Sequence, residues 1–293
     1  MVRGACGPRS RGAGAGGRQL SPGTGVLSDR IRFGIFRALV ALAVGFAATP
    51  VPGAAIEDTI ARVKRSVVAV GTFERTRSPP CQFRGTGFVV GDGRQIATNA
   101  HVLPGALDGD NREMIAILLP APPRAGTDAP QVQVRAARLV ATDPAHDLAL
   151  IAIEGAPLPA LAIGDSTRVR EGSSVYLTGF PIGSVLGPHP ATHRALVASI
   201  TPIAIPRARS AQLNAQTIKR IAAGTFPVFQ LDGTAYPGNS GSPVYDGESG
   251  TVIGVINMVL VKATKESALT QPSGISYAIP AEHLRTLLDA SPR

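Results

Sequence analysis

Three short segments carry side chains that are suited to nucleophilic catalysis. His101 lies in the run ATNAHVL, Asp147 opens the segment DLALIAI, and Ser240 stands among glycines in YPGNSGSPV. Each residue alone has an ordinary structural explanation, because turns are rich in Asp, Asn, Ser and Gly and single histidines are common. Together they supply a base, a carboxylate and a nucleophile.

A serine hydroxyl becomes a nucleophile when a base accepts its proton and a carboxylate holds that base in the right tautomer. His101 is the candidate base and Asp147 the candidate carboxylate. Backbone N–H groups must also point at the oxyanion that develops during attack on a carbonyl. Glycine permits a tight turn, so we expect the amides of Gly238 and Ser240 to form an oxyanion hole. The chain order His, Asp, Ser is one of three orders found for such triads.

Other polar residues near these segments have structural explanations. Strand alternation turns His146 away from Asp147, and Ser242 should pack under the Ser240 loop. The acidic stretch around Asp108 lacks the carboxylate spacing of a calcium-binding loop, and the chain has no clustered His and Cys for zinc. We therefore expect neither a metal site nor a cofactor.

Composition argues against several classes of protein. The 293 residues include 44% hydrophobic and 17% charged residues, which suits a globular protein with a sizeable core. Of the net charge of +9, six units lie in residues 1–55, which contain seven Arg and one Asp. Only 4% of residues are aromatic and none is Trp, so base stacking on aromatic side chains is not expected. We expect no nucleic-acid partner.

Residues 1–55 have the layout of a signal peptide. Basic residues precede the 11-residue apolar run Ala38–Ala48, and small residues follow it up to a predicted cleavage point after Ala55. The alternative is an uncleaved membrane anchor. Of the two cysteines, only Cys81 lies beyond this leader, so no disulfide forms within the mature chain. An exported protein without disulfides suits a bacterial periplasm. We predict a periplasmic or secreted protein, with residues 56–293 as the functional domain.

The mature chain reads as a series of short strands between turns. Ile56, Ile60 and Val63 predict a short N-terminal helix, and AEHLRTLLDA predicts a closing helix. The strand-like runs are 67–73, 87–93, 114–120, 131–140, 148–154, 174–180, 195–205, 227–231, 251–261 and 275–280. Many short strands of this kind predict an all-β sandwich or barrel. Three connections, 120–130, 183–194 and 206–226, are predicted to be loops.

Between about Ser66 and Pro280 the chain resembles the chymotrypsin-fold serine proteases, in particular the bacterial HtrA/Deg branch. The motifs that carry this resemblance are GTGFVV with TNAHVL, then DLALIAI, then PGNSGSPV followed by VIGVINMV and GISYAIP. It implies two antiparallel six-stranded β-barrels, about residues 66–165 and 166–280. It also implies the triad roles given above. A PDZ domain, which follows the protease in typical HtrA members, is not found in this sequence.

The same resemblance places a substrate pocket. Its floor falls near Thr234 and its wall on Asn257, Met258 and Val259, where no acidic residue stands to pair with a cationic substrate side chain. We therefore expect a preference for small or medium aliphatic residues before the cleaved bond. Proteins or peptides are the expected substrates, and nothing in the sequence indicates an oligomeric state.

The expected activity is that of a serine endopeptidase. Because its base must be neutral, activity should fall below about pH 6.5, the ordinary pKa of histidine. Two alternatives stay open. One is a binding module that keeps the fold but has a collapsed oxyanion loop, and the other is an esterase that uses the same triad. Asn239 stands where trypsin-like activation by a new N-terminus needs an Asp, so no such activation step is expected.

Overall fold

A computed structural model describes residues 52–120, 132–183, 189–202, 226–257 and 274–291. The predicted leader therefore lies almost wholly outside the described residues. The predicted loops 120–130 and 206–226 lie almost wholly outside them. Of the predicted loop 183–194, residues 184–188 lie outside, whereas residues 191–194 belong to a strand and not to a loop.

Twelve strands and two α-helices make up the described part of the chain. They are α1 (Pro52–Lys64), β1 (Val67–Phe73), β2 (Cys81–Val90), β3 (Gln95–Asn99), β4 (Met114–Pro120), β5 (Val132–Asp143), β6 (Leu148–Ile153), β7 (Ser174–Gly179), β8 (Ala191–Pro202), β9 (Pro227–Asp232), β10 (Pro243–Tyr245), β11 (Val252–Ile256), β12 (Ile275–Pro280) and α2 (Ala281–Asp289).

The first six strands close into an antiparallel barrel in the order β1-β2-β3-β6-β5-β4. Strand β1 closes it by pairing with both β2 and β4. Its sequence VVAVGTF is buried over six of seven positions, since one face fills the barrel and the other packs against neighbouring structure. Strands β3 and β6 pair so that Asn99 faces Leu148, which brings the residues after β3 beside those before β6.

The last six strands form a second closed antiparallel barrel in the order β10-β11-β12-β9-β8-β7. Its core is built from buried Val, Leu, Ile and Phe side chains, including Leu177, Leu231 and Ile256. Short β10 pairs with β7 and β11, and the Ser240 loop leads directly into it. The expectation of an all-β fold with two six-stranded antiparallel barrels is confirmed.

The two predicted helices are also confirmed. Helix α1 begins at Pro52, a residue type favoured in the first turn, and so runs across the predicted cleavage point after Ala55. The Thr59 hydroxyl and the Arg62 guanidinium of α1 donate to backbone carbonyls in the turn between β10 and β11. Helix α2 buries Leu284 completely. Neither described helix has the length and apolar character that crossing a membrane requires.

Two strands were not predicted as separate elements. Strand β3 has five residues, and its sequence merges with the His101 segment. Strand β10 has only three residues, too few to show a period of two. Strand β2 also starts earlier than expected, at Cys81. Its first four residues alternate between partly buried and exposed positions, and they are not part of the continuous apolar run that predicts the strand.

Candidate functional site

The ends of neighbouring strands place His101 beside Asp147. His101 lies in the 3-10 turn Ala100–Val102, which follows β3 directly, and Asp147 is the residue before β6. The Asp147 carbonyl accepts hydrogen bonds from the Ala100 N–H (3.0 Å) and from the Asn99 side-chain amide (3.1 Å). The pairing of β3 with β6 thus continues beyond both strands and positions the two side chains.

Asp147 is a buried carboxylate that several donors satisfy. The residue is only 4% exposed, and its φ of +54° lies in the left-handed region that few non-glycine residues adopt. One carboxylate oxygen accepts from the His101 backbone N–H at 3.0 Å. The other lies 2.6 Å from His101 Nδ1. This unusual backbone conformation is held by hydrogen bonds on both the main chain and the side chain.

His101 links Asp147 to Ser240. Because a carboxylate only accepts hydrogen bonds, the contact with Asp147 assigns the ring proton to Nδ1 in the neutral imidazole. The opposite nitrogen, Nε2, is then free to accept and lies 2.9 Å from Ser240 Oγ. The structure therefore brings the three predicted triad residues into one hydrogen-bonded chain that connects the two barrels.

The loop before β10 presents two backbone donors beside Ser240. The N–H groups of Asn239, Gly241 and Ser242 donate to backbone carbonyls at 2.9–3.0 Å. Within the described residues, the N–H groups of Gly238 and Ser240 have no such acceptor. These are the two donors that the sequence predicts for an oxyanion hole.

Gly238 occupies a position that only glycine fits. Its φ is +101°, and a Cβ there would lie 2.3 Å from the Phe180 carbonyl oxygen and 2.9 Å from a ring carbon of Phe83. Gly241 is similarly confined, with a φ of +85° and a Cβ position 2.1 Å from the Thr86 carbonyl oxygen. Both glycines let the Ser240 loop pack directly on neighbouring backbone.

The side-chain amide of Asn257 donates to the Asp147 carboxylate at 2.7 Å, and the residue is buried. Asn257 directly follows β11, from which its side chain reaches Asp147. Its place in the wall of the substrate pocket stays a prediction. Thr234 is half-buried and lies between β9 and the Ser240 loop. Met258 and Val259 lie outside the described residues.

One residue that contacts the site and that the sequence motifs do not predict is Thr86 of β2. It is fully buried, and both its hydroxyl and its N–H bind the Ser240 loop of the other barrel. The only signal for it in the sequence is its position between two glycines in GTG, which allows close approach of another backbone.

A mainly apolar cavity of about 500 Å³ has Phe83, Phe180 and Gly183 among its lining residues. Phe83 and Phe180 also lie close to Gly238. The two rings contact each other edge to face at 6.3 Å between centroids. Cys81 also lines this cavity, and partial burial raises the pKa of its thiol. The thiol is therefore protonated and weakly nucleophilic at neutral pH.

His146 belongs to a cluster separate from the triad. Its Nδ1 lies 2.6 Å from the Asp143 carboxylate, and its ring stacks on His283 of α2 at 3.7 Å. Phe226 packs edge to face on both histidines. Burial lowers the pKa of His283, and the neighbouring His146 lowers it further. Among the described residues, no three His, Cys, Asp or Glu side chains are grouped as metal ligands would be.

Curated proteins with related sequences carry protease names. The chain is 30% identical over 206 residues to a probable periplasmic serine endoprotease DegP-like of Pseudomonas putida (strain GB-1), which covers 70% of this chain and 34% of that protein. It is 31% identical over 205 residues to the mitochondrial serine protease HTRA2 of Bos taurus, covering 70% and 35%. The chain thus spans about a third of the length of the curated relatives it matches.

Solved structures share the fold. The active form of the Rv3671c protease from M. tuberculosis aligns with a TM-score of 0.55 and 22% identity, covering 84% of this chain and 90% of that one. The HtrA-type protease AlgW with tripeptide aligns with a TM-score of 0.53 and 21% identity, covering 80% and 62%. A family model described as a trypsin-like peptidase domain matches residues 85–255, more than half of the sequence. This chain therefore belongs to the trypsin-like peptidase family.

Proposed function

We propose that the protein is a serine endopeptidase in which Ser240 attacks the peptide carbonyl. The observation that carries this proposal is the continuous chain from the Asp147 carboxylate through His101 to Ser240 Oγ, with steps of 2.6 and 2.9 Å. A nucleophile and a base within hydrogen-bond distance, with the base oriented by a third group, form the arrangement that covalent catalysis needs.

In the first half of the reaction, Ser240 Oγ forms a bond to the carbonyl carbon while His101 Nε2 takes the hydroxyl proton. The imidazole becomes positively charged, and the Asp147 carboxylate beside Nδ1 stabilises that charge. His101 then gives the proton to the leaving amine as the carbon–nitrogen bond breaks. The products of this half are a free amine and an acyl group on Ser240.

The negative charge on the carbonyl oxygen needs donors that are already in position. The N–H groups of Gly238 and Ser240 supply them, since neither is engaged with a backbone acceptor in the described part of the chain. In the second half of the reaction, water attacks the acyl carbon and gives a proton to His101, and the Ser240 hydroxyl is restored. Asn257 adds a hydrogen bond that holds the Asp147 carboxylate in line with the imidazole.

Protein substrates and a periplasmic location are part of the proposal. Relatives are named periplasmic serine endoproteases, and residues 1–55 have the order of charge and hydropathy expected of a signal peptide. We also infer a preference for aliphatic residues before the cleaved bond, because no acidic residue is found at the predicted pocket positions. A peptide-library profile dominated by Arg or Lys at that position would contradict this preference.

The test compares two kinds of substrate and two variants. Casein and a short-chain activated ester are incubated with the wild-type full-length chain and with the S240A and H101A variants. We expect the wild type to hydrolyse casein and both variants to lose about 10⁴-fold or more in kcat. Turnover of the ester without cleavage of casein or of any library peptide would instead identify an esterase. A folded wild type that hydrolyses neither would identify a latent, binding module.

A further inference from the structure

Thr86 connects the two halves of the proposed catalytic site through a single buried side chain. It lies on β2 in the first barrel, but its Oγ donates to the Gly238 carbonyl at 2.7 Å and accepts from the Phe180 N–H at 3.0 Å. Its backbone N–H also donates to the Ser240 carbonyl at 2.8 Å. The Phe180 N–H donates to the Thr86 hydroxyl oxygen, so the single hydroxyl proton is left to donate to the Gly238 carbonyl.

These contacts fix the direction of the proposed oxyanion donor at Gly238. Peptide groups are planar, and their N–H and C=O bonds point in opposite directions. The peptide before Gly238 is held by its Pro237 carbonyl, which accepts from the Ile182 N–H at 2.7 Å. The peptide after Gly238 is held by Thr86. The first contact sets the direction of the Gly238 N–H, and the second holds the Gly238 Cα in place from its other side.

Thr86 also sets the position of this loop relative to the base. Its carbonyl accepts from the Thr98 hydroxyl at 2.7 Å, and Thr98 lies on β3, three residues before His101. The same residue thus contacts the strand that carries the base and the loop that carries the oxyanion donors. The neighbouring glycine makes this approach feasible, because a Cβ at Gly85 would lie 3.0 Å from the Ser240 carbonyl oxygen.

We propose that Thr86 is a positioning residue for the oxyanion hole, acting through its hydroxyl on the Gly238 peptide. The inference rests on the proposed hydrolytic function. Thr86 does not touch the reacting atoms. Its hydroxyl holds the peptide that joins Gly238 to Asn239. The Gly238 N–H belongs to the preceding peptide, so Thr86 acts on this donor through the Gly238 Cα that both peptides share. Without the hydroxyl, Gly238 can shift and move its N–H away from the oxyanion. Removing the hydroxyl should therefore slow the chemical step and leave ground-state binding nearly unchanged.

The experiment measures covalent labelling of the full-length chain by a fluorophosphonate, which Ser240 attacks with loss of fluoride. The phosphonyl oxygen then occupies the oxyanion hole. We expect T86V to lower the maximal labelling rate constant about ten- to a hundredfold, with the half-saturating probe concentration unchanged. T86S keeps the hydroxyl and should restore most of the rate.

The matched control is T178V. Thr178 is also fully buried, and its hydroxyl contacts Thr192 and Tyr245, both at 2.8 Å, rather than the Ser240 loop. T178V should lose stability much as T86V does and still label at the wild-type rate. If T86V does not fold, T86C replaces it. The Cys thiol is similar in size to the hydroxyl but is a weaker hydrogen-bond donor, so Ser240 of T86C should be labelled at an intermediate rate.

Each outcome separates the two proposals. If the wild type labels and T86V or T86C labels at the same maximal rate, the role of Thr86 is refuted and the proposed function stands. Equal slowing in T86V and T178V would also refute it, since the loss would then reflect general destabilisation. A folded wild type that does not label would refute the proposed function and the positioning role with it.

Discussion

Replacing Gly238 by Ala tests the proposed oxyanion hole directly. The added Cβ would lie 2.3 Å from the Phe180 carbonyl oxygen, whereas ordinary van der Waals contact begins at 3.4 Å. The backbone must therefore move by about 1.1 Å, the difference between these two distances. The φ of +101° adds strain of about 1–2 kcal/mol for any residue with a Cβ.

A displacement of this size is large for a hydrogen-bond donor. Oxyanion donors act at about 2.7–3.1 Å, so a shift of about 1 Å removes the Gly238 N–H from that range. Loss of one such donor costs about 2.7–4 kcal/mol in transition-state stabilisation. We therefore expect kcat of G238A to be about 10²- to 10³-fold lower than that of the wild type, with KM little changed.

The matched control is G172A. Gly172 has a similar φ of +87°, but a Cβ there meets nothing within 4 Å. Both variants should therefore carry the strain of a positive φ, measured as a lower Tm, and only G238A should lose activity. The assay is steady-state hydrolysis of a peptide substrate, normalised to folded protein. Wild-type kcat in G238A, or an equal loss in G172A, would refute the assignment of Gly238 as an oxyanion donor.

Three further predictions concern groups around the site and the fold. N257A should lower kcat/KM about ten- to a hundredfold in steady-state assays, because the Asp147 carboxylate loses a donor at 2.7 Å. His283 has a lowered pKa, so the unfolded chain takes up its proton first and wild-type stability should fall below about pH 6.5. H283F should reduce that fall when urea unfolding is compared at pH 7.5 and 5.5; the other titratable side chains that face His283 are Asp143, His146 and Glu282. Hydrogen bonds from Thr72 and Arg77 lower the pKa of Glu113 to about 2, so the stability it contributes is present above about pH 4.3 and is lost as the pH falls through 2. Urea unfolding of E113Q should show a deficit at pH 7 that disappears near pH 2, and a constant deficit would contradict it.

The strands that could be predicted best are bounded by turn residues and are apolar along their length. Strands β1, β4 and β12 have the predicted bounds, because Gly, Pro and charged residues end each apolar run. Strand β10 could not be predicted, since three residues show no period. Its place in the sheet depends on pairing with distant β7 and β11.

The residues of the site likewise fall into two groups, those that local motifs predict and those that only the folded chain brings together. His101, Asp147 and Ser240 stand in motifs that the sequence presents locally, and the structure brings them together. Asn257 contacts Asp147, and Thr86 contacts Gly238. The two residues of each pair are more than 100 residues apart in the sequence. No local pattern specifies such contacts, because they follow from how the two closed barrels pack against each other.

The proposed hydrolysis requires that Ser240 is activated and that its oxyanion hole is formed. Both requirements are tested by intact-mass measurement after the folded, full-length wild type reacts with a fluorophosphonate, with S240A as the control. We expect one added phosphonyl group on the wild type, located at Ser240 by peptide mapping, and none on S240A. An unlabelled wild type, or equal labelling of S240A, would contradict it.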